Sequence, residues 1–313
     1  PFIENSNGFS LSYSPWLRNL GIPDINLAYL AGYWRTGENG ALGASFRYFS
    51  LGNIEFTDFD ANNIGSDRPN EFAVDVTYGL KVTPKFSAAV ALRYFYSRLA
   101  ADVSTAPDLK PVNSFAGDIA FLYRNDFTMR SAGADMPVTF SAGVNISNIG
   151  PKVSYNASSS ATDFIPGQLR LGYAFKFQLD EYNSLTVAND FTKLLVPSPD
   201  ADPLTPNQQE IPLLSGIFGS FSDAPGGFGE EITEINTAIG LEYWYREVFS
   251  ARLGYFYEDP NKGNRKFITL GAGLKYNVLG INFSYLAPLE QNHPLANTLR
   301  LTVTFDFDSG GNE

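Results

Sequence analysis

The chain has 313 residues, a formal net charge of −11 and no cysteine. The missing cysteine excludes disulfides, thiolate metal sites and cysteine nucleophiles, and the acidic balance argues against nucleic acid, which needs clustered Lys and Arg. Aromatic residues make up 15%, with 26 Phe and 17 Tyr, yet the mean hydropathy is −0.13 and no run of about 20 apolar residues offers a transmembrane helix.

Alternation of apolar and polar residues begins early and recurs along the chain. Candidate strands cover Gly8–Tyr13, Asp24–Arg35, Ala41–Ser50, Phe72–Val82, Phe86–Arg98 and Ser114–Arg124. In Ala41–Ser50, Leu42, Ala44, Phe46 and Tyr48 alternate with Gly43, Ser45 and Arg47. Further strands fall at Met136–Ser147, Gln168–Gln178, Ser184–Leu195, Glu234–Tyr243, Val248–Glu258, Arg265–Tyr276, Gly280–Ala287 and Ala296–Phe307. The last is nearly faultless: Leu299, Leu301, Val303, Phe305 and Phe307 oppose Thr298, Arg300, Thr302, Thr304 and Asp306. A side-chain period of two makes one face apolar and the other polar. About fourteen such segments, many near the 9–11 residues that cross a bilayer when tilted, predict an all-β, transmembrane antiparallel barrel with lipid outside and a polar lumen.

Connection lengths alternate as well. Gly37–Gly40, Thr83–Lys85, Asp180–Asn183, Tyr245–Glu247 and Asn277–Leu279 are short, whereas Leu51–Glu71, Leu99–Asn113, Ile149–Gly167 and Val196–Thr233 are long. Short periplasmic turns alternating with long outer loops is the barrel rule; it places both termini in the periplasm and Val196–Thr233 outside the cell. The connection Asn125–Asp135 is longer than that rule allows. A soluble sandwich is the competing fold, but it calls for shorter strands and Greek-key connections. No linker divides the chain, so residues 1–313 read as one outer-membrane barrel domain. The start at Pro1 has no basic and apolar leader, which implies that a signal peptide is removed or lies outside this numbering.

Chemistry-bearing signals are sparse. His293, the sole histidine, sits in a loop before Pro294 with no serine pattern to support a Ser-His pair. Asp58-Phe59-Asp60-Ala61-Asn62-Asn63 partly imitates a calcium loop, but Asn63 stands where glycine is needed and Pro69 where a bidentate Glu is. Asp75, Asp118, Glu242, Arg47, Arg93, Arg170, Arg252 and Arg300 fall on the predicted lumen face, as a conduit or as paired filling. No catalytic, cofactor or metal set emerges. The unusual stretch is Val196–Thr233, where Leu213, Leu214, Ile217, Phe218 and Phe221 crowd one outer loop. Such apolarity marks a partner surface or a loop that plugs its own barrel mouth.

Four separated stretches carry a family resemblance: Trp16-Leu17 to Asp24-Ile25-Asn26-Leu27-Ala28-Tyr29-Leu30; Arg47-Tyr48-Phe49-Ser50-Leu51-Gly52-Asn53-Ile54; Pro69-Asn70-Glu71-Phe72-Ala73-Val74-Asp75; and Pro294-Leu295-Ala296-Asn297-Thr298-Leu299-Arg300. In this order they resemble the PorV family (also called LptO), outer-membrane shuttle proteins of the type IX secretion system of Bacteroidetes. That family is similar in fold to the FadL fatty-acid transporters. The family's N-terminal segment before the first strand is expected to be missing here. The resemblance implies no enzymatic activity and no cofactor. Its implied partners are the giant outer-membrane translocon barrel (Sov/SprA-like), secreted cargo bearing a C-terminal signal domain, the attachment complex with a PorU-type sortase, and membrane lipid. Leu213, Leu214, Ile217, Phe218, Phe221 and Trp16 are the expected partner-binding residues. The alternative is a FadL-like transporter of hydrophobic small molecules.

Overall fold

A computed structural model describes residues 2, 5–18, 21–22, 24–99, 109–131, 133–157, 162–198, 211–289 and 298–307. The wall is a closed antiparallel barrel of fourteen strands. In chain order these are β1 (Asn7–Pro15), β2 (Ile25–Arg35), β3 (Gly40–Leu51), β6 (Asn70–Thr83), β7 (Phe86–Arg98), β8 (Val112–Ser131), β9 (Ala134–Ile149) and β10 (Gln168–Gln178). They continue with β11 (Asn183–Leu194), β12 (Asn236–Tyr245), β13 (Phe249–Tyr257), β14 (Lys266–Tyr276), β15 (Leu279–Pro288) and β16 (Thr298–Phe307). A separate hairpin, β4 (Ile54–Thr57) with β5 (Asn63–Asp67), stands in the connection read from sequence as a polar loop.

Closure joins first strand to last, from Asn7 opposite Phe307 to Tyr13 opposite Leu301. On the outside of this seam the Phe9 and Phe305 rings stack at 4.7 Å. Closure satisfies every ladder group within the wall, which is the condition for crossing hydrocarbon. No helix among the described residues is long and apolar enough to cross a membrane; the strands do so.

Burial is inverted relative to a water-soluble fold. Leu11, Leu30, Val76, Val90, Leu92, Leu253, Leu270 and Leu301 are all exposed on the outer wall. Aromatic side chains flank this band, with Tyr13, Tyr48, Phe115 and Tyr257 toward the long-loop end. Trp34, Tyr78, Tyr123 and Tyr276 stand toward the short-turn end. An apolar belt between aromatic girdles is what a lipid-facing wall requires.

The connection around Asn125–Asp135 is not a loop. Strands β8 and β9 stay paired from Asn125 opposite Phe140 to Ser131 opposite Ala134. This hairpin carries polar side chains at Asn125, Asp126, Thr128 and Arg130, because it extends the wall past the apolar belt. Val196–Thr233 also differs from a plain loop, since it holds two short helices, α1 (Leu213–Gly219) and α2 (Phe228–Thr233).

Candidate functional site at the long-loop mouth

The site has three parts: a lumenal cup, a folded connection that roofs it, and a helical loop latched above. The cup begins with an irregularity in the wall. The register of β8 against β9 shifts between Gly117 and Ile119, leaving Asn148 in the left-handed region (φ 59°), which Asn tolerates better than most residues. Such a bulge re-aims side chains. Here the Asn148 backbone N–H donates to Asp118 Oδ1 at 2.8 Å, and its side-chain oxygen accepts from Arg93. Arg93 Nε also lies 2.6 Å from Asp75 Oδ1 and its Nη2 3.0 Å from Asp118 Oδ2. Ser45 completes the network by donating to Asp75 Oδ2 at 2.9 Å. The four residue types are all polar, and they form the bottom of the cup.

Above this floor the walls are mostly apolar, with Arg47, Glu71 and Asp163 set among them. The cavity is about 540 Å3 and is lined by Trp16, Leu27, Phe49, Phe95, Phe164 and Ile165, among others. Trp16 meets Phe49 edge-on, 5.2 Å between ring centroids. The β9–β10 connection supplies the roof. Val153 and Asp163 form an isolated bridge within it, Tyr155 Oη donates to Ser97 Oγ at 2.9 Å, and Ser97 Oγ donates to Glu71 Oε1 at 2.5 Å. Thus residues 150–157 and 162–167 fold into the mouth, a task the sequence offered as one reading of 196–233.

The helical loop rests on this roof. Gly216 of α1 faces Phe164, and a Cβ there would lie 2.5 Å from Phe164 Cζ and 3.0 Å from Pro197 Cγ; only glycine permits that approach. Helix α2 starts after Gly227, whose φ of 71° suits glycine. It carries Glu230 and Glu231 in its first turn, where the helix dipole favours negative charge. The carboxylates then bind the barrel. Lys193 Nζ at the end of β11 is 3.0 Å from Glu231 Oε2 and 2.6 Å from Glu234 Oε2. Lys262 Nζ, on the β13–β14 connection, is 2.5 Å from Glu230 Oε1 and 3.0 Å from Glu234 Oε1. The backbone N–H of Ala224 donates to Glu231, and the Ser198 hydroxyl donates to Glu234. Burial pushes the Glu234 carboxyl up, but hydrogen bonds from Lys193, Lys262 and Ser198 outweigh it and hold it below its ordinary value. Lys262 and the Gly226 N–H likewise lower Glu230.

The latch leaves an apolar stripe facing outward. Leu214, Phe218 and Phe221 are exposed, Phe218 to 71%. Leu213 and Ile217 are half-buried on the inner side of the same helix. Two further residues, Phe228 at 81% and Ile232, are exposed on α2; sequence reasoning missed them, and their i, i+4 spacing is the signal that could have found them. Trp16 lies apart from this stripe, inside the cup.

The other lumenal residues sort by partner. Arg252 Nε binds Glu242 Oε2 at 2.6 Å and its Nη1 donates to Asn282 at 2.8 Å, so this cluster is paired filling, as is Arg93. Arg47, Arg170 and Arg300 are exposed and appear in no ion pair among the described residues. At the short-turn end the lumen widens into a polar vestibule of about 990 Å3, bordered by Arg124, Lys176, Lys275 and Asp306. Asp58 caps its own turn, accepting from the backbone N–H groups of Asp60 and Asn62. His293 lies outside the described residues.

Comparison with known proteins gives the barrel its relatives. It is similar to the Pseudomonas putida toluene transporter TodX (12% identity, TM-score 0.50), covering 98% of this chain and 91% of that one. A TodX deltaS2S3 mutant, described as a monoaromatic hydrocarbon channel, gives 11% identity and a TM-score of 0.51, with 98% and 91% covered. The Ralstonia pickettii toluene transporter TbuX gives 11% and 0.49, with 97% and 90% covered. At these identities the likeness concerns the fold, a FadL-like outer-membrane barrel. No curated protein sequence matches the chain. The family described as "Type IX secretion system protein PorV" matches residues 1–201, more than half of the chain, and the chain therefore belongs to the PorV family of type IX secretion system components.

Proposed function

We propose that the chain is a non-enzymatic carrier in type IX secretion, acting as one barrel unit with its long loops outside the cell and its termini in the periplasm. It docks on the giant translocon barrel, receives cargo through the cargo's C-terminal signal domain, and passes it to the surface attachment complex with its PorU-type sortase. The observation that carries this reading is the latched loop. Four ion-pair contacts from Lys193 and Lys262 hold α2, and Gly216 seats α1 closely against Phe164, so that Leu214, Phe218, Phe221, Phe228 and Ile232 stay exposed. Holding apolar side chains in water costs free energy, and a stripe of this kind is a docking surface in want of a partner. Replacing these five residues with Ser leaves the barrel folded and removes co-purification of translocon and cargo from native membranes. Unchanged co-purification refutes the proposal.

A second reading, a transporter of hydrophobic small molecules, is favoured by the apolar walls of the cup. Its mark is bound lipid inside a barrel that comes out of the membrane with no protein partner.

A further inference from the structure

At the short-turn end the β8–β9 hairpin outgrows its neighbours and leaves a sheet edge open. β7 accompanies β8 only as far as Phe86 opposite Tyr123, and the Arg124 N–H then donates to the Lys85 carbonyl at 2.7 Å. Beyond that point β8 pairs with β9 alone, as far as Ser131 opposite Ala134. One edge of Asn125–Ser131 is therefore free over roughly 20 Å, from the rise per residue of a strand. In an antiparallel ladder successive residues turn their N–H and C=O groups to opposite sides. Arg124 turns its own toward β7, so Asp126, Thr128 and Arg130 turn theirs toward the open edge. No other segment among the described residues bonds to them there.

The opposite edge of the hairpin is closed. β10 leaves β9 at Val138, opposite Phe177, and the next residue outward is Pro137. Pro137 stands opposite Thr128, so its nitrogen faces that second edge and offers no donor. Proline is a device that keeps other strands off an edge, and β8 has none over 125–131. The β8 side chains suit an added strand. Phe127 and Met129 are 41% and 40% exposed and stand opposite Val138 and Met136. On the other face Asp126 keeps 64% of its side chain exposed beside Arg124 and Thr139. Arg130, with Asp135 across the hairpin, is exposed too. Two charges of opposite sign, four residues apart, select a strand that carries them in the reverse order.

We propose that the open edge of β8 takes up an extended segment of another protein as an added antiparallel strand. The backbone of Asp126, Thr128 and Arg130 holds the segment, as in other cases of strand addition. Its apolar side chains lie beside Phe127 and Met129, with a basic residue opposite Asp126 and an acidic one opposite Arg130. A second copy of this chain does not fit. Barrels in one membrane share an orientation, so their β8 strands run in the same sense, and in-register pairing would set Asp126 beside Asp126 and Arg130 beside Arg130. In the orientation proposed above, the edge and its partner are periplasmic; strand addition itself does not depend on that orientation or on the docking stripe at the far mouth.

The test uses the purified full chain in amphipol and a fluorescent peptide that copies residues 125–131, read by fluorescence anisotropy. Laid antiparallel about Thr128, this peptide sets its arginine opposite Asp126, its aspartate opposite Arg130 and its methionine opposite Phe127. It binds saturably, and the same peptide with aspartate and arginine exchanged binds at least tenfold more weakly. Thr128→Pro removes an edge N–H but no bond to β9, and lowers affinity at least tenfold; Thr128→Val keeps the N–H and binds as the wild type does. Asp126→Arg with Arg130→Asp leaves the ladder intact and reverses the preference between the two peptides. Heat-modifiable migration confirms that each variant is a folded barrel. No saturable binding, equal binding of the two peptides, wild-type affinity in Thr128→Pro, equal losses in Thr128→Val and Thr128→Pro, or an unreversed preference in the double variant each overturns the proposal.

Discussion

The latch makes a quantitative demand on Lys193. Its ammonium contacts Glu231 and Glu234, and the Lys193 and Glu231 side chains are each only 8% exposed. Replacing Lys193 with Met keeps the stem and removes the charge, leaving Glu231 buried beside the Ala224 N–H alone. Breaking a buried pair by deleting one partner costs roughly 3–5 kcal/mol. Lys262 still serves Glu234, so the low end applies, about 3 kcal/mol. At 1.4 kcal/mol per tenfold, opening of α2 becomes on the order of a hundredfold more frequent. Hydrogen exchange of the backbone amides over 228–234, measured by mass spectrometry in detergent, reads this directly, while the wall strands keep their protection. Lys193→Met with Glu231→Gln is the decisive companion. The amide still accepts from Ala224, and no charge is left buried, so most of the protection returns. Exchange in α2 that is unchanged in Lys193→Met, or faster in the double variant than in the single, refutes the account.

Three further expectations test other layers of the molecule. The latch depends on pH: Glu230 and Glu234 are held below the ordinary 4.5, and Lys262 is raised above 10.5 mainly by its bond to Glu230. A lowered carboxyl stabilises above its unfolded value and a raised amine below its own, so α2 stays protected between these limits. Protection falls as the pH drops below 4.5 through the folded carboxyl values, and exchange unchanged down to pH 3 contradicts this. Arg93→Gln strands Asp75 and Asp118 and lowers the urea midpoint of the barrel, toward the lower end of about 3–5 kcal/mol because lumenal water reaches the site; Arg300→Gln, which breaks no ion pair, leaves it unchanged. Leu253→Arg puts a charge in the middle of the lipid-facing wall and costs about 2–4 kcal/mol, whereas Thr269→Arg on the lumen face is tolerated; equal effects would mean that the two faces are wrongly assigned.

What the sequence made legible was whatever obeys a period of two. Leu169, Leu171, Tyr173, Phe175 and Phe177 all face outward from β10, paired in register with β9 and β11. The same rule missed elements whose alternation is interrupted or too short to count. The tips of β8 and β9 read as a turn because Asn125, Asp126 and Arg130 interrupt the apolar run, although beyond the membrane a strand needs no apolar face. The β4–β5 hairpin was hidden by its shortness, with strands of 4 and 5 residues on either side of the polar stretch Asp58–Asn62. The docking stripe was half legible: Leu214, Phe218 and Phe221 stood out by composition, but Phe228 and Ile232 sit in a glycine-rich stretch that reads as loop. The cup was illegible. Leu27, Phe49, Phe95 and Phe164 come from separate strands and a loop, and barrel closure alone places them around one volume. Its floor depends on a bulge that turns Asn148 inward, and no local pattern in Asn145–Ile149 announces it.

Why the cup and the helical loop sit at one mouth follows from what each is made of. Within the apolar belt the wall is held by a closed ladder with no free edge, so a partner cannot add a strand there, and rearranging it means breaking many backbone bonds at once. The loop is held by side-chain charges instead, at Lys193 and Lys262, and such contacts open one at a time. Movement is therefore confined to the layer above the belt. Within that layer the parts are not independent. Phe164 forms a wall of the cup and also the surface on which Gly216 of α1 rests. With no Cβ to spare at that contact, an outward shift of the Phe164 ring must lift α1, and with it Leu214 and Phe218. A substitution at Gly216 reaches the cup by the same route in reverse, which is why glycine at that position belongs to both sites.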